Sequence, residues 1–114
     1  MAFIKFVGTG RKTRGPAISI WKRGQINLNR SFLEFFKIKE NYVILFYDSE
    51  GKRIGLKFTN DKQEEGAMHL IQHIEGSKSF SCVPFLRINK INYQKTYRYT
   101  PYIDPETKMV AFDL

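Results

Sequence analysis

The sequence predicts an α+β fold, mostly β, in which two tandem hairpin–short helix–hairpin halves share one core. Three observations predict it. Short runs of alternating apolar and polar residues are typical of half-buried strands. A phenylalanine-rich run with helical spacing follows the first two of these runs. The same order of signals returns 53 to 56 residues later in the 114-residue chain. This length suits a single domain over residues 1–114, because each half alone is too small to bury a sufficient core.

The N-terminal segment is basic and rich in glycine. Residues 2–7 alternate loosely and predict a first strand. Residues 8–16 follow with three glycines, one proline and three basic residues, and with nothing apolar to bury. We therefore predict a mobile basic loop at residues 8–16. Its glycines lack the spacing and the Gly-Lys-Ser/Thr sequence of a phosphate-binding P-loop.

The first half-repeat, residues 17–58, opens with a hairpin. Residues 17–21 alternate as a strand, and Ile26 and Leu28 alternate with polar residues in the next one. Gly24 lies between the two runs, and glycine can adopt the positive φ that such a turn requires. The pattern therefore predicts a hairpin around the Lys-Arg-Gly sequence.

A short helix is predicted to follow this hairpin. Phe32, Phe35 and Phe36 have i, i+3 and i+4 spacing, so we expect them to share one helix face. Asn29 and Ser31 are both suitable N-caps, because their side-chain oxygens can accept a bond from a free backbone N–H.

A second hairpin is predicted to complete the first half-repeat. Residues 48–51 read Asp-Ser-Glu-Gly, a turn sequence, and Ile54, Leu56 and Phe58 alternate behind it. Residues 59–66 are polar and acidic, and we interpret them as the connection between the halves.

The second half-repeat, residues 67–114, reproduces the spacings of the first. The matching positions are Phe85, Leu86 and Ile91 with Phe32, Leu33 and Ile38, then Asp104 with Asp48, then Val110, Phe112 and Leu114 with Ile54, Leu56 and Phe58. Residues 67–74 alone fit either a helix or a strand, and periodicity does not decide between them. The repeat favours a strand before a turn at residues 75–76. We expect the six matched helix residues to meet in one core.

The order of these signals resembles that of the AbrB/MazE/MraZ superfamily of swapped-hairpin DNA-binding proteins. The resemblance lies in the basic turn at residues 22–26, the short helix at 32–38 and the hairpin at 42–58. Asn29 occupies the usual place of proline, and Glu40-Asn41 replaces the usual glycine-aspartate. The resemblance implies a swapped-hairpin-like fold, with tandem copies as in the MraZ branch. It also implies DNA binding by a small bacterial-type transcriptional regulator or antitoxin-like protein.

The positive charge lies in the N-terminal third of the chain. Residues 1–39 contain nine Lys or Arg residues and one acid, Glu34, so their net charge equals the +8 of the whole chain. Such a segment produces a field that attracts polyanions. The simpler interpretation is a lysine-rich solubilising surface.

Composition excludes several classes of protein. The chain is 42% hydrophobic, too apolar for a disordered protein. No apolar run approaches the ~20 residues of a membrane span, and the N-terminal residues do not resemble a signal peptide. Cys82 is the single cysteine, which excludes an internal disulfide, and we expect it to be a small buried hydrophobe. These features predict a cytoplasmic protein without a membrane partner.

No set of residues predicts an enzyme. His69 and His73 are four apart, as metal ligands often are, but nothing nearby completes a site. Asp48 and Asp104 each begin a turn, where aspartate stabilises the backbone locally, so we do not interpret them as acid–base catalysts. We therefore expect no catalytic residue, no metal and no cofactor.

The aromatic residues near the second hairpin allow two interpretations. Tyr93, Tyr97, Tyr99 and Tyr102 lie close to basic residues, a composition that can stack the bases of single-stranded nucleic acid. Tyr97 and Tyr99 also alternate with Arg98, as in an ordinary amphipathic strand. We favour packing on the sheet.

The predicted function is non-enzymatic binding of double-stranded DNA through the basic N-terminal half. Arginine grips phosphate or a guanine edge with its planar fork, and lysine mainly supplies charge. Gln25 and Asn27 can read bases if their strand faces a groove. The predicted contact residues are Arg11, Lys12, Arg14, Lys22, Arg23, Gln25, Asn27 and Arg30. The alternative is a protein-interaction or structural module with no nucleic-acid role. A protein partner and a homodimer are open under both functions.

Overall fold

The structure, a computed structural model, describes residues 15–114. The predicted strand at residues 2–7 and most of the predicted loop at 8–16 lie outside this range. The described chain is mostly β, with two five-stranded antiparallel sheets and two short helices, which confirms the predicted fold class.

The strands are β1 (Ile18–Ile20), β2 (Gln25–Leu28), β3 (Tyr42–Asp48), β4 (Arg53–Thr59), β5 (Met68–His69), β6 (Ile71–Gln72), β7 (Lys78–Ser81), β8 (Tyr97–Tyr99), β9 (Tyr102–Ile103) and β10 (Val110–Asp113), and the helices are α1 (Arg30–Phe35) and α2 (Val83–Ile88). Sheet A has the strand order β6-β7-β2-β1-β8, and sheet B has the order β5-β3-β4-β10-β9. Both sheets therefore contain strands from both halves of the chain.

Helix α1 begins at a side-chain cap. Asn29 is the N-cap: its Oδ1 accepts bonds from the Phe32 N–H at 2.8 Å and the Ala17 N–H at 3.0 Å. The Asn29 amide thus binds both the residue that precedes β1 and the first turn of the helix. The expected shared face is only partly correct, because Phe32 is fully buried whereas Phe35 is 69% exposed. The helix has six residues, and Leu33 fills the second core position instead.

Residues 67–74 form strands rather than a helix. Strand β5 pairs with β3 in sheet B, and β6 pairs with β7 in sheet A. Leu70 lies between them with a buried side chain, and its N–H bonds to the Asn41 carbonyl at 2.8 Å. The segment therefore crosses from one sheet to the other at Leu70. Two-residue strands broken in this way give no clear period in the sequence, which explains the ambiguity.

The two halves pair with each other about an approximate two-fold axis. Strands β2 and β7 pair with Ile26 opposite Phe80, and β4 and β10 pair with Gly55 opposite Ala111. Helix α2 starts 53 residues after α1. The helices also end alike, because the Ile38 N–H bonds to Leu33 and the Ile91 N–H bonds to Leu86, each at 2.9 Å.

One core lies between the sheets and takes residues from both halves. Phe32, Phe80 and Phe112 are the largest side chains that are fully buried in it. Complete burial of such a side chain stabilises a fold by about 1.5–3 kcal/mol. The six helix residues expected to meet in this core do so: Phe32, Leu33, Leu86 and Ile91 belong to the buried cluster, and Ile38 and Phe85 pack against it.

Candidate nucleic-acid interface

The turn between β1 and β2 presents two exposed cations on a fixed backbone. The Trp21 N–H bonds to the Gln25 carbonyl at 2.8 Å, and the Gly24 N–H bonds to the Trp21 carbonyl at 2.9 Å. Lys22 and Arg23 lie at the tip and are exposed. Neither cation forms an ion pair within the described part of the chain. Their charges are therefore directed at solvent.

Gly24 closes this turn, where any side chain would be strained and would clash with a neighbour. Its φ is +85°, a region that favours glycine. A Cβ atom at this position would lie 2.3 Å from the Cγ2 atom of Val83, at the start of α2. The Gly24 carbonyl also accepts a bond from the Cys82 N–H at 3.0 Å. The basic turn is thus anchored to the second half of the molecule.

The outer face of sheet A is polar. Because strand residues alternate, Ile18 and Ile20 point into the core and Ser19 points outward. The register places Ser79, Asn27, Ser19 and Arg98 side by side across four strands, and Gln25 lies opposite Ser81. Within residues 15–114, no strand of sheet A contains an acidic residue. The face therefore offers the hydrogen-bonding groups of Ser19, Gln25, Ser81 and Arg98, and its described strands contribute no negative charge.

Asn27 lies in the middle of this face. Its Oδ1 atom is buried and has no hydrogen-bond partner within the described residues. Opposite it, the Oγ atom of Ser79 lies 2.7 Å from the His73 Nε2 atom. Ser79 is only 2% exposed, so this serine–histidine pair lacks the access that a nucleophile needs.

Arg30 lies at the other end of β1. Its Nε atom donates to Glu34 at 3.0 Å, and both side chains are largely exposed, so the pair adds little stability. Nearby, the Asn29 Nδ2 atom donates to the Gly15 carbonyl at 3.2 Å, where the described chain begins. Four residues of extended strand separate this end from Trp21, a distance of about 13 Å.

The predicted contact residues therefore do not converge on one point. Lys22 and Arg23 form one basic end of sheet A, and Arg30 marks the other. Gln25 and Asn27 lie on the polar face between them, half-buried. Arg11, Lys12 and Arg14 lie outside the described residues.

Arg53 is an important residue that the sequence analysis missed. Its Nε and Nη2 atoms contact the Asp48 Oδ2 atom at 3.1 Å, and its Nη1 atom donates to the Asp104 Oδ1 atom at 2.9 Å. The arginine thus joins the hairpin turns of the two halves. The aspartate that recurs at the two turns was the available sequence signal for this cluster. It did not indicate that both aspartates bind the same arginine.

Both turn aspartates have the structural role that was predicted for them. Asp48 Oδ1 accepts bonds from the Glu50 and Gly51 N–H groups at 3.1 and 3.0 Å. The backbone N–H and hydroxyl of Thr107, together with Arg53, lower the pKa of Asp104 to about 2. The same kinds of bonds, led by the Gly51 N–H, lower the pKa of Asp48. Both groups are stabilised as carboxylates, which suits a turn rather than proton transfer.

The remaining candidates for chemistry lie apart. His69 is on β5 of sheet B, against the Tyr42 ring at 5.3 Å, whereas His73 bonds to Ser79 of sheet A. Among residues 15–114, no three His, Cys, Asp or Glu side chains lie close enough to hold a metal ion. Burial raises the pKa of the Cys82 thiol to about 12. Neither helix in this range is long and apolar enough to cross a membrane.

Comparison with known proteins adds no relative. The chain matches no protein-family model, no curated protein and no solved structure. Function is therefore inferred from the residues and their geometry.

Proposed function

We propose that this protein binds duplex DNA without catalysing a reaction, as a regulator or an antitoxin-like protein does. It holds the phosphate backbone along the outer face of sheet A and at the basic turn formed by Lys22 and Arg23. The observation that carries the proposal is that the described strands of sheet A contain no acid, while Lys22 and Arg23 lie exposed and without a described ion pair at one end of the sheet.

The basic turn suits phosphate binding for two physical reasons. Lys22 and Arg23 have no described ion pair, so binding to phosphate does not require an existing contact of theirs to be broken. The hydrogen bonds of the turn fix its backbone before binding, so less conformational entropy is lost when DNA is bound. Serine, glutamine and asparagine side chains on the neighbouring face are also common phosphate ligands.

The width of sheet A revises the role of Gln25 and Asn27. Five strands about 4.8 Å apart span about 19 Å, whereas the major groove is about 12 Å wide. The sheet can lie across the phosphate ridges but cannot enter the groove. We therefore assign these two side chains to backbone contacts rather than to base reading. Sequence preference from this face should be weak.

The exchange of strands between halves supports the proposed relation to swapped-hairpin proteins. Strand β2 of the first half pairs with β7 of the second, and β4 pairs with β10. A single chain whose two halves take the places of the two subunits of an intertwined dimer would pair its strands in this way. Asn29, which occupies the position where the swapped-hairpin proteins usually have proline, is the N-cap of α1 in this chain.

A salt titration of binding to random duplex DNA tests this function. Each lost phosphate contact reduces the slope of log affinity against log salt by about 0.9, so replacing Lys22 and Arg23 with alanine should reduce it by about 1.8. The matched control replaces Lys62 with alanine and Lys108 with glycine, which removes the same charge outside sheet A. An equal change in both variants would show that net charge alone attracts DNA.

The alternative, a protein-interaction module, is favoured by an apolar groove on the outer face of sheet B. Gly55 and Ala111 form its floor, and Phe46 and Met109 lie beside them, with Phe46 45% exposed. The same titration separates the two functions when single-stranded DNA and an acidic protein are included. Equal, weak binding to all three would favour the interaction module.

A further inference from the structure

Four lysines have an unusual backbone conformation. Among the described residues, every non-glycine residue with positive φ is a lysine: Lys37, Lys52, Lys90 and Lys108, with φ of 55°, 55°, 56° and 65°. Lys37 and Lys90 follow α1 and α2, and the other two lie in the hairpin turns of the two halves. Glycine is the usual residue at such positions because a Cβ atom is strained there. Strain of this kind concentrates at functional sites.

The four lysines line two clefts related by the approximate two-fold axis. Lys52 and Lys90 line a cleft of about 610 Å³, which we call the tyrosine cleft. Lys37 and Lys108 line a cleft of about 390 Å³, which we call the phenylalanine cleft. Each cleft thus combines a helix end from one half with a hairpin turn from the other.

The clefts differ in what surrounds the lysines. Phe36 and Phe58 line the phenylalanine cleft, together with one acid, Glu40. In the tyrosine cleft, Asn89 stands 53 residues after Phe36, at the matching position. Within residues 15–114, no acidic side chain lines the tyrosine cleft, and its other lining groups are Tyr47, Ser49, Ile88, Ile91, Asn92, Tyr97, Tyr99 and Leu114. It is larger, and none of its described lining side chains is acidic.

The tyrosine rings are fixed by neighbours before any ligand binds. Tyr99 packs on Phe112 with ring centroids 5.1 Å apart, and Tyr47 meets Phe85 edge-on at 6.3 Å. The Tyr97 hydroxyl accepts a bond from the Asn92 Nδ2 atom at 3.2 Å. Pre-organised aromatic rings provide contact area for a planar ligand at a low entropic cost.

We propose that the tyrosine cleft binds a nucleotide monophosphate, with its phosphate between Lys52 and Lys90 and its base against the tyrosine rings. Two ammonium groups supply the charge for the phosphate, and the aromatic rings supply the surface for the base. The volume lies within the 300–1,000 Å³ that is usual for small-molecule sites. The site is distinct from the outer face of sheet A, so it goes beyond the proposed DNA binding. The nucleotide is either free or the 5′-phosphorylated end of a single strand.

Calorimetric titration with AMP, adenosine and inorganic phosphate tests the site. Replacing Lys52 and Lys90 with glycine removes both ammonium groups while suiting the positive φ, so the fold is retained. Affinity for AMP should fall about tenfold or more, because charge-assisted bonds are lost. The matched control replaces Lys37 and Lys108 with glycine and should bind AMP as the unaltered chain does. AMP should also bind more tightly than either adenosine or phosphate.

Three outcomes would overturn the proposal. These are no saturable AMP binding at millimolar concentration, an equal loss in both glycine variants, and AMP binding no tighter than phosphate. A 5′-phosphorylated trinucleotide that binds better than AMP identifies the strand end as the ligand, and the reverse order identifies the free nucleotide. The Lys22 and Arg23 alanine variant should bind AMP normally, so failure of the duplex proposal is separable from failure of this one.

Discussion

Gly24 supports the basic turn, and replacing it with alanine should lower the free energy of unfolding by about 2–4 kcal/mol. Two terms contribute. Holding alanine at φ +85° costs about 1 kcal/mol after the entropic gain in the unfolded chain is subtracted. Overpacking adds about 1–3 kcal/mol, because the new Cβ atom would lie 2.3 Å from the Val83 Cγ2 atom.

A double-mutant cycle with Val83 separates these terms. Shortening Val83 to alanine removes Cγ2 and leaves its Cβ atom 3.4 Å from the new methyl group, an ordinary contact. In that background Gly24→Ala should cost only the ~1 kcal/mol due to φ. The coupling energy from urea unfolding should therefore be about 1–3 kcal/mol. Equal costs in both backgrounds would refute the steric explanation, and a total cost below about 0.5 kcal/mol would refute both terms.

Three further predictions follow from the fold. Truncation after Phe58 should give an unfolded or self-associating fragment by size-exclusion chromatography, because the core takes residues from both halves; a stable monomeric fragment would contradict the shared core. The pKa of Asp104 is lowered from 3.8 to about 2, so its contribution to stability is present above pH 3.8 and is lost as pH falls towards 2. Asp104→Asn should therefore flatten the fall of Tm over that range, and an unchanged profile would show that other carboxylates dominate. Lys90→Gly should raise the free energy of unfolding by up to about 1 kcal/mol in urea, whereas Lys95→Gly, which has no positive φ to relieve, should not.

The regular parts of the fold could be predicted because they follow local periods. Alternation around Gly24 predicted the first hairpin, and the spacing of Phe32 and Phe36 predicted α1. Phe35 was expected to share one helix face with Phe32 and Phe36, but it is largely exposed because a helix of six residues buries only a narrow stripe. Residues 67–74 change sheets in mid-segment, and such a change is set by the partner strands rather than by the segment itself.

The candidate site was less predictable because its geometry depends on contacts across the chain. Lys22 and Arg23 were predicted as contact residues from the turn sequence, and they lie exposed at the tip of that turn. Arg30 is separated from Lys22 and Arg23 because they lie at opposite ends of β1. The width of sheet A depends on strands that are far apart in sequence. Arg53 and Asp104 are 51 residues apart, and no local pattern connects them. The tyrosine cleft likewise exists only once the two halves have docked.

Synthesis on the ribosome gives the exchange of strands a further consequence. Strand β2 can pair with β7, and β4 with β10, only after more than 50 further residues have been synthesised. Until then, β2 and β4 each expose one unpaired edge. At 5–20 residues per second this interval lasts several seconds. An unpaired edge accepts any matching strand, including the one from a neighbouring nascent chain. Crowded polysomes should therefore yield entangled dimers in which each first half is completed by the other chain's second half.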